Sequence, residues 1–222
     1  MKIGNGLFLC VIALTTLAGG CAMLVGSPSG AHQVNSKVGI DPGEIRTAED
    51  PDAVAAARHH ELATFAAGCF WGVESAFRKT KGVVATAVGY SGGKSKNPSY
   101  KEVCTDTTGH AEAVLVEFDP KLISYTDLLE VFWTYHDPTQ LNRQGPDFGT
   151  QYRSAILYRS ESQRKIAVDS RNKLNKSGEF KTPVVTEIAH AKTFWLAEEY
   201  HQQYAEKTGH DSCPAPRKRI KQ

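Results

Sequence analysis

The chain predicts a two-layer α/β (α+β) sandwich that begins at about Glu61. Two observations carry this. Short apolar runs of strand length alternate with helical-period segments in the order strand-helix-strand, strand-helix-strand, helix-strand, helix. Hydrophobic residues make up 41% and charged residues 23% of the 222, enough for one packed core plus an appendage. The two successive strand-helix-strand units suit a mixed sheet with a ferredoxin-like core. The last stretch, from about Thr208, holds Gly209, two prolines and Cys213, and reads as a long irregular, mobile C-terminal coil.

In order, Leu62 to Ala67 is a buried strand. Gly68-Cys69-Phe70-Trp71-Gly72 follows, and Val73, Ala76 and Phe77 give the next segment, to Lys79, a helical spacing. Cys69 therefore stands where a strand turns into a helix. Gly82 to Gly89 is a second buried strand, closed by Tyr90-Ser91-Gly92-Gly93. A polar loop with the turn signal Asn97-Pro98 leads to a helical turn over Tyr100 to Val103. His110 to Asp119 alternates as a strand, with Glu112 on the face of Val114 and Val116, an unusual place for a carboxylate. Ser124 to Tyr135 is a helix: Ser124 caps it with Asp127 three residues on, and Leu128, Leu129, Phe132 and Trp133 form its stripe. Asp137-Pro138 ends it. Thr139 to Tyr152 is a long polar loop, and loops of this length usually carry function. Ser154 to Tyr158 is a strand, Ser160 to Asn175 a surface helix ended before Gly178, Val184 to Ala189 a strand, and Thr193 to Lys207 a helix bearing Trp195, Tyr200 and Tyr204.

The N-terminus reads as an address. Lys2 precedes an apolar run from Leu7 to Leu17, too short to span a membrane as a helix, and Ala18-Gly19-Gly20-Cys21 follows. This resembles a bacterial lipobox, so residues 1–21 are expected to be a lipoprotein-type signal peptide with Cys21 as the lipidated residue. Cleavage nearer Ala31 and an uncleaved anchor are the other readings. Each sends the domain out of the cytoplasm, to a bacterial cell envelope. Residues 22–60 are rich in Ser, Pro, Gly, Asp and Ala and read as a flexible linker, with a short helix over Asp52 to His60 and with His32, His59 and His60 solvated. A net charge of +2 without a basic face excludes nucleic acid as a natural partner. Five cysteines without a CxxC pair offer neither a ribbon-type zinc site nor a disulfide scaffold.

A cysteine at a helix N-terminus is favoured as the reactive thiolate. A thiolate nucleophile also needs a proton donor for what it attacks. Glu112, Asp147, His110, Tyr90, Tyr100 and Tyr152 are the candidates. A carboxyl on an apolar strand face tends to stay protonated and can act as an acid. Phe70 and Trp71 can wall an apolar pocket, or can belong to the core. Cys213, on a mobile end, suggests a resolving thiol for an oxidised Cys69. Cys104 reads as an ordinary buried thiol.

Gly68-Cys69-Phe70-Trp71-Gly72 resembles the active-site signature of the A-type peptide methionine sulfoxide reductases. The likeness extends over 89–93, 97–100, 109–114 and 149–154, in the family's order, and covers the chain from about Leu62 to Tyr204. The resemblance implies that Cys69 attacks the sulfur of a methionine S-sulfoxide, protein-bound or free, and that Glu112 protonates the oxygen. It implies that Tyr100 and Tyr152 hydrogen-bond that oxygen, Asp147 completes the network, and Phe70 and Trp71 hold the methyl group. The resulting sulfenic acid would condense with Cys213, and a thioredoxin-like protein would reduce the disulfide. No metal or organic cofactor is implied, and a monomer is expected. The competing readings are a cysteine acyl-transferase or peptidase using Cys69, His110 and Asp147, and a non-catalytic envelope module with Phe70 and Trp71 as a recognition pocket.

Overall fold

The computed structural model describes residues 50–210. Cys10, Cys21, His32 and Cys213 therefore lie outside the described residues. A six-stranded mixed sheet organises the fold. Its strands are β1 (Glu61–Ala67), β2 (Val83–Ser91), β3 (Ala111–Phe118), β6 (Ser154–Tyr158), β7 (Glu187–His190) and the two-residue β8 (Trp195–Leu196). They lie in the order β7-β6-β1-β3-β2-β8. Pairing is antiparallel except between β6 and β7. The inner four, β6-β1-β3-β2, connect through α2 (Phe70–Arg78) and α4 (Tyr125–Tyr135) as two split strand-helix-strand units, the ferredoxin-like arrangement.

Alternation along the strands divides the core. Ala63, Phe65, Ala67, Val88, Tyr90, Val114, Val116 and Ile156 face the helices and meet Phe70, Val73 and Phe77 of α2 and Leu128, Leu129 and Phe132 of α4. Phe65 stacks on Phe77, with ring centroids 5.0 Å apart, and on Phe132 at 5.4 Å. α5 (Glu161–Lys176) covers the outer strands with Ala167 and Leu174, and the Trp133 indole N–H donates to its Ser170 hydroxyl at 2.8 Å. The capping box read at Ser124 and Asp127 is present: the Ser124 Oγ accepts from the Asp127 N–H, and the Asp127 carboxylate accepts from the Ser124 N–H.

The opposite face of the sheet is lined by Ala66, Ala111, Ala113, Ala155 and Leu157, and at one end by Leu62, Ala87 and Leu115. Small residues here let backbone approach closely. Phe194 packs on this face. α1 (Pro51–Ala57) covers its end, with Ala55 fully buried beside Leu62 and Leu115. Residues 51–60, which composition reads as linker with solvated histidines, thus dock on the domain. His60 Nδ1 lies 2.8 Å from the carboxylate of the wholly buried Glu117, and Arg58 lies 3.5 Å from the same oxygen. Among the described residues no helix is long and apolar enough to cross a membrane.

The largest departure from the sequence expectation is the segment after Ala191. Thr193 to Lys207 is not a helix. It is a strap made of β8, a 3-10 turn (Glu199–His201) and the short α6 (Tyr204–Thr208), with Gln203 in the left-handed region at φ 49°. Trp195, Tyr200 and Tyr204 mimic a helical stripe, but long-range bonds outweigh that preference. The Gln202 side chain bonds the Val88 N–H and both the Val88 and Ala197 carbonyls, and Gln203 bonds the buried Glu74 carboxylate. Two smaller corrections follow. The strand expected over Val184 to Ala189 is Glu187–His190, and the long loop 139–152 holds a miniature hairpin, β4 (Arg143–Gln144) with β5 (Asp147–Phe148), and a 3-10 turn (Thr150–Tyr152).

Gly89 is the seam between strap and sheet. A Cβ there would stand 2.3 Å from the Trp195 carbonyl oxygen and 2.6 Å from the Phe194 ring. Gly89→Ala is expected to destabilise the protein by about 1–3 kcal/mol in chemical denaturation, the usual cost of overpacking. Stability unchanged from wild type would show that the strap does not hold to β2 as described.

Candidate active site

Cys69 is the N-cap of α2, partly exposed, between a buried strand and a buried helix. The turn depends on Gly68, which takes φ +96°. A Cβ there would lie 2.7 Å from the Gln144 side chain, which packs the β4–β5 hairpin against the turn. The residue after Cys69 carries the first link of the site: the Phe70 N–H donates to Glu112 Oε2 at 3.0 Å. Glu112 is 2% exposed and stands on the helix-facing side of β3, opposite Tyr90 on β2. The carboxylate that stood out among the valines of β3 is thus tied to the helix N-terminus beside Cys69.

Tyr100 opens a short helix, α3 (Tyr100–Val103), whose Ser99–Glu102 capping box fixes its entry. Its hydroxyl is pushed well above the ordinary tyrosine range by burial, by a hydrogen bond to Cys104 and by the charge of Glu112. Tyr152, on the 3-10 turn, is raised to about 12, first by burial and then by the charges of Glu112, Cys104, Asp147 and Cys69. Both tyrosines therefore remain protonated hydrogen-bond donors at any physiological pH. Asp147 of β5 belongs to the same electrostatic cluster through Tyr152. The turn that bears Tyr152 is pinned to the loop after α3, since the Thr150 N–H donates to the Asp106 carboxylate at 2.8 Å.

Other candidates are placed differently. Phe70 is 1% exposed and lies in the core, so its ring backs the site rather than lining it; Trp71 is the partly exposed member of the pair. Tyr90 is wholly buried and donates its hydroxyl to Glu198 at 2.9 Å. Cys104, read as a buried thiol, is exposed at the end of α3, where the helix turns out of the core after Val103. Partial desolvation and the charges of Glu112 and Glu198 raise its pKa, against the Tyr100 hydrogen bond, which lowers it. His110 is 3% exposed, and both ring nitrogens are engaged by backbone: Nδ1 accepts from the Gly93 N–H at 3.1 Å, and Nε2 donates to the Ser95 carbonyl at 2.8 Å. It serves a loop and offers Cys69 no base, which removes the support for the acyl-transferase or peptidase reading. No group of acidic, histidine and cysteine residues suited to a metal occurs among the described residues.

The strap supplies residues that sequence reasoning missed. Glu198 accepts the Tyr100 N–H and the Tyr90 hydroxyl, each at 2.9 Å. Burial opposes its charge, but these hydrogen bonds outweigh it and hold its pKa below the usual value. His201 lies between the rings of Phe70 and Tyr100, and its Nδ1 accepts the Trp71 indole N–H at 2.9 Å. Tyr204 stacks flat on Trp71, with centroids 3.9 Å apart. The one sequence signal for these contacts was the wide, incomplete apolar spacing of Trp195, Tyr200 and Tyr204.

Comparison with known proteins agrees with this geometry. The family model for peptide methionine sulfoxide reductase matches residues 61–222. The peptide methionine sulfoxide reductase MsrA of Methanosarcina acetivorans is 63% identical over 149 residues, 67% of this chain and 79% of that protein. That of Methanothermobacter thermautotrophicus is 60% identical over 154 residues, 69% of this chain and 91% of that protein. Among solved structures, reduced Mxr1 from Saccharomyces cerevisiae is 38% identical with a TM-score of 0.66, covering 72% of this chain and 94% of that one. Methionine sulfoxide reductase A of Corynebacterium diphtheriae is 38% identical with a TM-score of 0.62, covering 70% and 78%. The chain belongs to the peptide methionine sulfoxide reductase family, a family of oxidoreductases.

Proposed function

We propose that this protein reduces the S epimer of methionine sulfoxide, protein-bound or free, and so repairs oxidised proteins in a bacterial cell envelope. The observation that carries the chemistry is the hydrogen bond that joins the helix start beside Cys69 to the buried Glu112. Cys69 Sγ attacks the sulfoxide sulfur. A helix N-terminus favours negative charge at that place. Glu112 passes a proton to the sulfoxide oxygen while Tyr100 and Tyr152, both held as donors, hydrogen-bond it. The attack joins Cys69 Sγ to the substrate sulfur. The protonated oxygen then passes to Sγ as the substrate's sulfur–oxygen bond and the new sulfur–sulfur bond break, so that methionine leaves as the thioether and Cys69 is left as a sulfenic acid. Trp71 supplies the wall for the substrate methyl group, with Phe70 behind it.

Condensation with Cys213 would then release water and form a disulfide, which a thioredoxin-like protein reduces by thiol–disulfide exchange. What supports Cys213 is the course of the strap. Tyr204 is stacked on Trp71, and Cys213 follows His210 by three residue steps, a reach of about 10 Å. What supports the envelope is the N-terminal pattern: Lys2, the apolar run and Ala18-Gly19-Gly20-Cys21.

Three measurements follow. With a dithiol as reductant, Cys69→Ser is expected to abolish turnover of the S epimer, and Glu112→Gln to lower kcat about 10²–10⁴-fold; near-wild-type rates in Glu112→Gln would transfer the proton to another group. Cys213→Ser is expected to release about one methionine per enzyme and then stall with thioredoxin; full thioredoxin-dependent turnover would assign recycling to Cys104 or to direct reduction of the sulfenic acid. The intact mass of protein extracted from membranes is expected to match a chain that starts at Cys21 and bears acyl groups. A mass matching an unmodified N-terminus would overturn the lipoprotein assignment.

A further inference from the structure

Asp106 stands in the left-handed region, at φ 63°, where any residue but glycine is strained. It lies six residues after Tyr100 and six before Glu112. Its Oδ1 accepts two bonds from one residue of another loop: from the Thr150 N–H, at 2.8 Å, and from the Thr150 hydroxyl. Thr150 opens the 3-10 turn that ends at Tyr152. Glycine would take the same backbone angle without strain. What aspartate brings in its place is an acceptor aimed at Thr150.

The two partners differ in how firmly they are held. On the Asp106 side the chain is bonded at short intervals. The Cys104 N–H donates to the Tyr100 carbonyl at 2.9 Å, and the Asp106 N–H to the Val103 carbonyl at 3.1 Å. The Lys94 N–H donates to the Thr108 carbonyl at 3.0 Å, and the His110 ring bonds Gly93 and Ser95. Asp106 is therefore fixed relative to both Tyr100 and Glu112. On the other side stands a turn of three residues, entered through Gly149 at φ 130°. Its ends are held by the Asn142 carbonyl, which accepts the Gly149 N–H at 3.0 Å, and by β6, which begins at Ser154. The Asp106 bonds tie the body of the turn to the loop that carries Tyr100.

We propose that Asp106 is a positioning residue for the reduction: as a clasp on Thr150 it sets the Tyr152 hydroxyl beside that of Tyr100, so that both meet one sulfoxide oxygen. This rests on the reading of the two tyrosines as the donors to that oxygen. A donor aimed at developing charge lowers the barrier more than it tightens the bound substrate, so its displacement shows in rate rather than in binding. The test uses the full-length protein and a methionine S-sulfoxide peptide without reductant, so that one turnover is observed and recycling does not enter. The rate of methionine release at saturation, the half-saturating concentration and Tm are measured for wild type, Asp106→Gly, Asp106→Asn, Tyr152→Phe and the Asp106→Gly/Tyr152→Phe double variant. Asp106→Gly removes the clasp and relieves the strain. It is expected to lower the rate about 10-fold. Half-saturation is expected to change less than about 2-fold, and Tm to stay within about 4 °C of wild type. Asp106→Asn keeps the oxygen at Oδ1 and tolerates the left-handed angle, and is expected to stay within about 3-fold of the wild-type rate. In the Tyr152→Phe background, loss of the clasp is expected to cost less than about 2-fold, because the hydroxyl it places is already gone.

An unchanged rate in Asp106→Gly, equal losses in Asp106→Gly and Asp106→Asn, or the same loss in both backgrounds would each overturn the proposal. If Asp106→Gly does not fold, Thr150→Val breaks the hydroxyl bond from the other side, and equal rates for Thr150→Val and wild type would overturn it. Absence of methionine release by wild type would instead overturn the reductase reading itself.

Discussion

The hydrogen bond from the Phe70 N–H to Glu112 is the constraint on which the rest of the site depends. It ties the first turn of α2 to the middle strand of the sheet, so the thiol and the carboxyl cannot move independently. Each side of the bond has its own support. Gly68 takes a backbone angle that lets the chain pass from β1 into the helix under Gln144. Glu112 is held in register by pairing of β3 with β2 on one side and with β1 on the other. Tyr100 and Tyr152 come from loops, yet each is pinned: Tyr100 by Glu198, and the turn of Tyr152 by Asp106. A rigid strand and the helix start bonded to it thus place Glu112 and Cys69, and braced loops place Tyr100 and Tyr152.

The strap is the second organising feature. It adds little to the sheet, only β8 at the edge of β2. Its main work is to return the chain across α2, where Glu198, His201 and Tyr204 reach Tyr90, Tyr100, Phe70 and Trp71. These contacts join residues far apart in sequence, so making them carries a loop-closure entropy cost that local contacts do not. They also bring residues 198–204 to the side of the molecule that holds Cys69.

Much of this was legible in the sequence, for identifiable reasons. β1, β2 and β3 announce themselves because strands buried on both faces leave dense apolar runs, and α4 because its capping box and stripe are local. Glu112 stood out because a carboxyl among valines needs an explanation. The grouping of Glu112 with Tyr100, Tyr152 and Asp147 came from the family resemblance, since spacing alone could not bring four loops and strands together. The strap was misread because Trp195, Tyr200 and Tyr204 fall near helical intervals while their true partners are across the molecule. Phe70 and Trp71 look equivalent in sequence; only packing shows that one is core and the other surface. The docked segment 51–60 was hidden by its composition, because its attachment rests on one small side chain, Ala55, and on polar contacts whose partners are far away in sequence: Asp52 with Arg159, and Arg58 and His60 with the buried Glu117.

The central claim is that Cys69 takes the oxygen from one epimer of methionine sulfoxide. The most direct measurement is the mass of the Cys69-containing peptide from the Cys213→Ser variant, after incubation with either epimer, no reductant and a reagent that traps sulfenic acids. The account predicts one trapped sulfenic acid on Cys69 with the S epimer and essentially none with the R epimer. An unmodified Cys69 with the S epimer, or equal trapping with both, would contradict it.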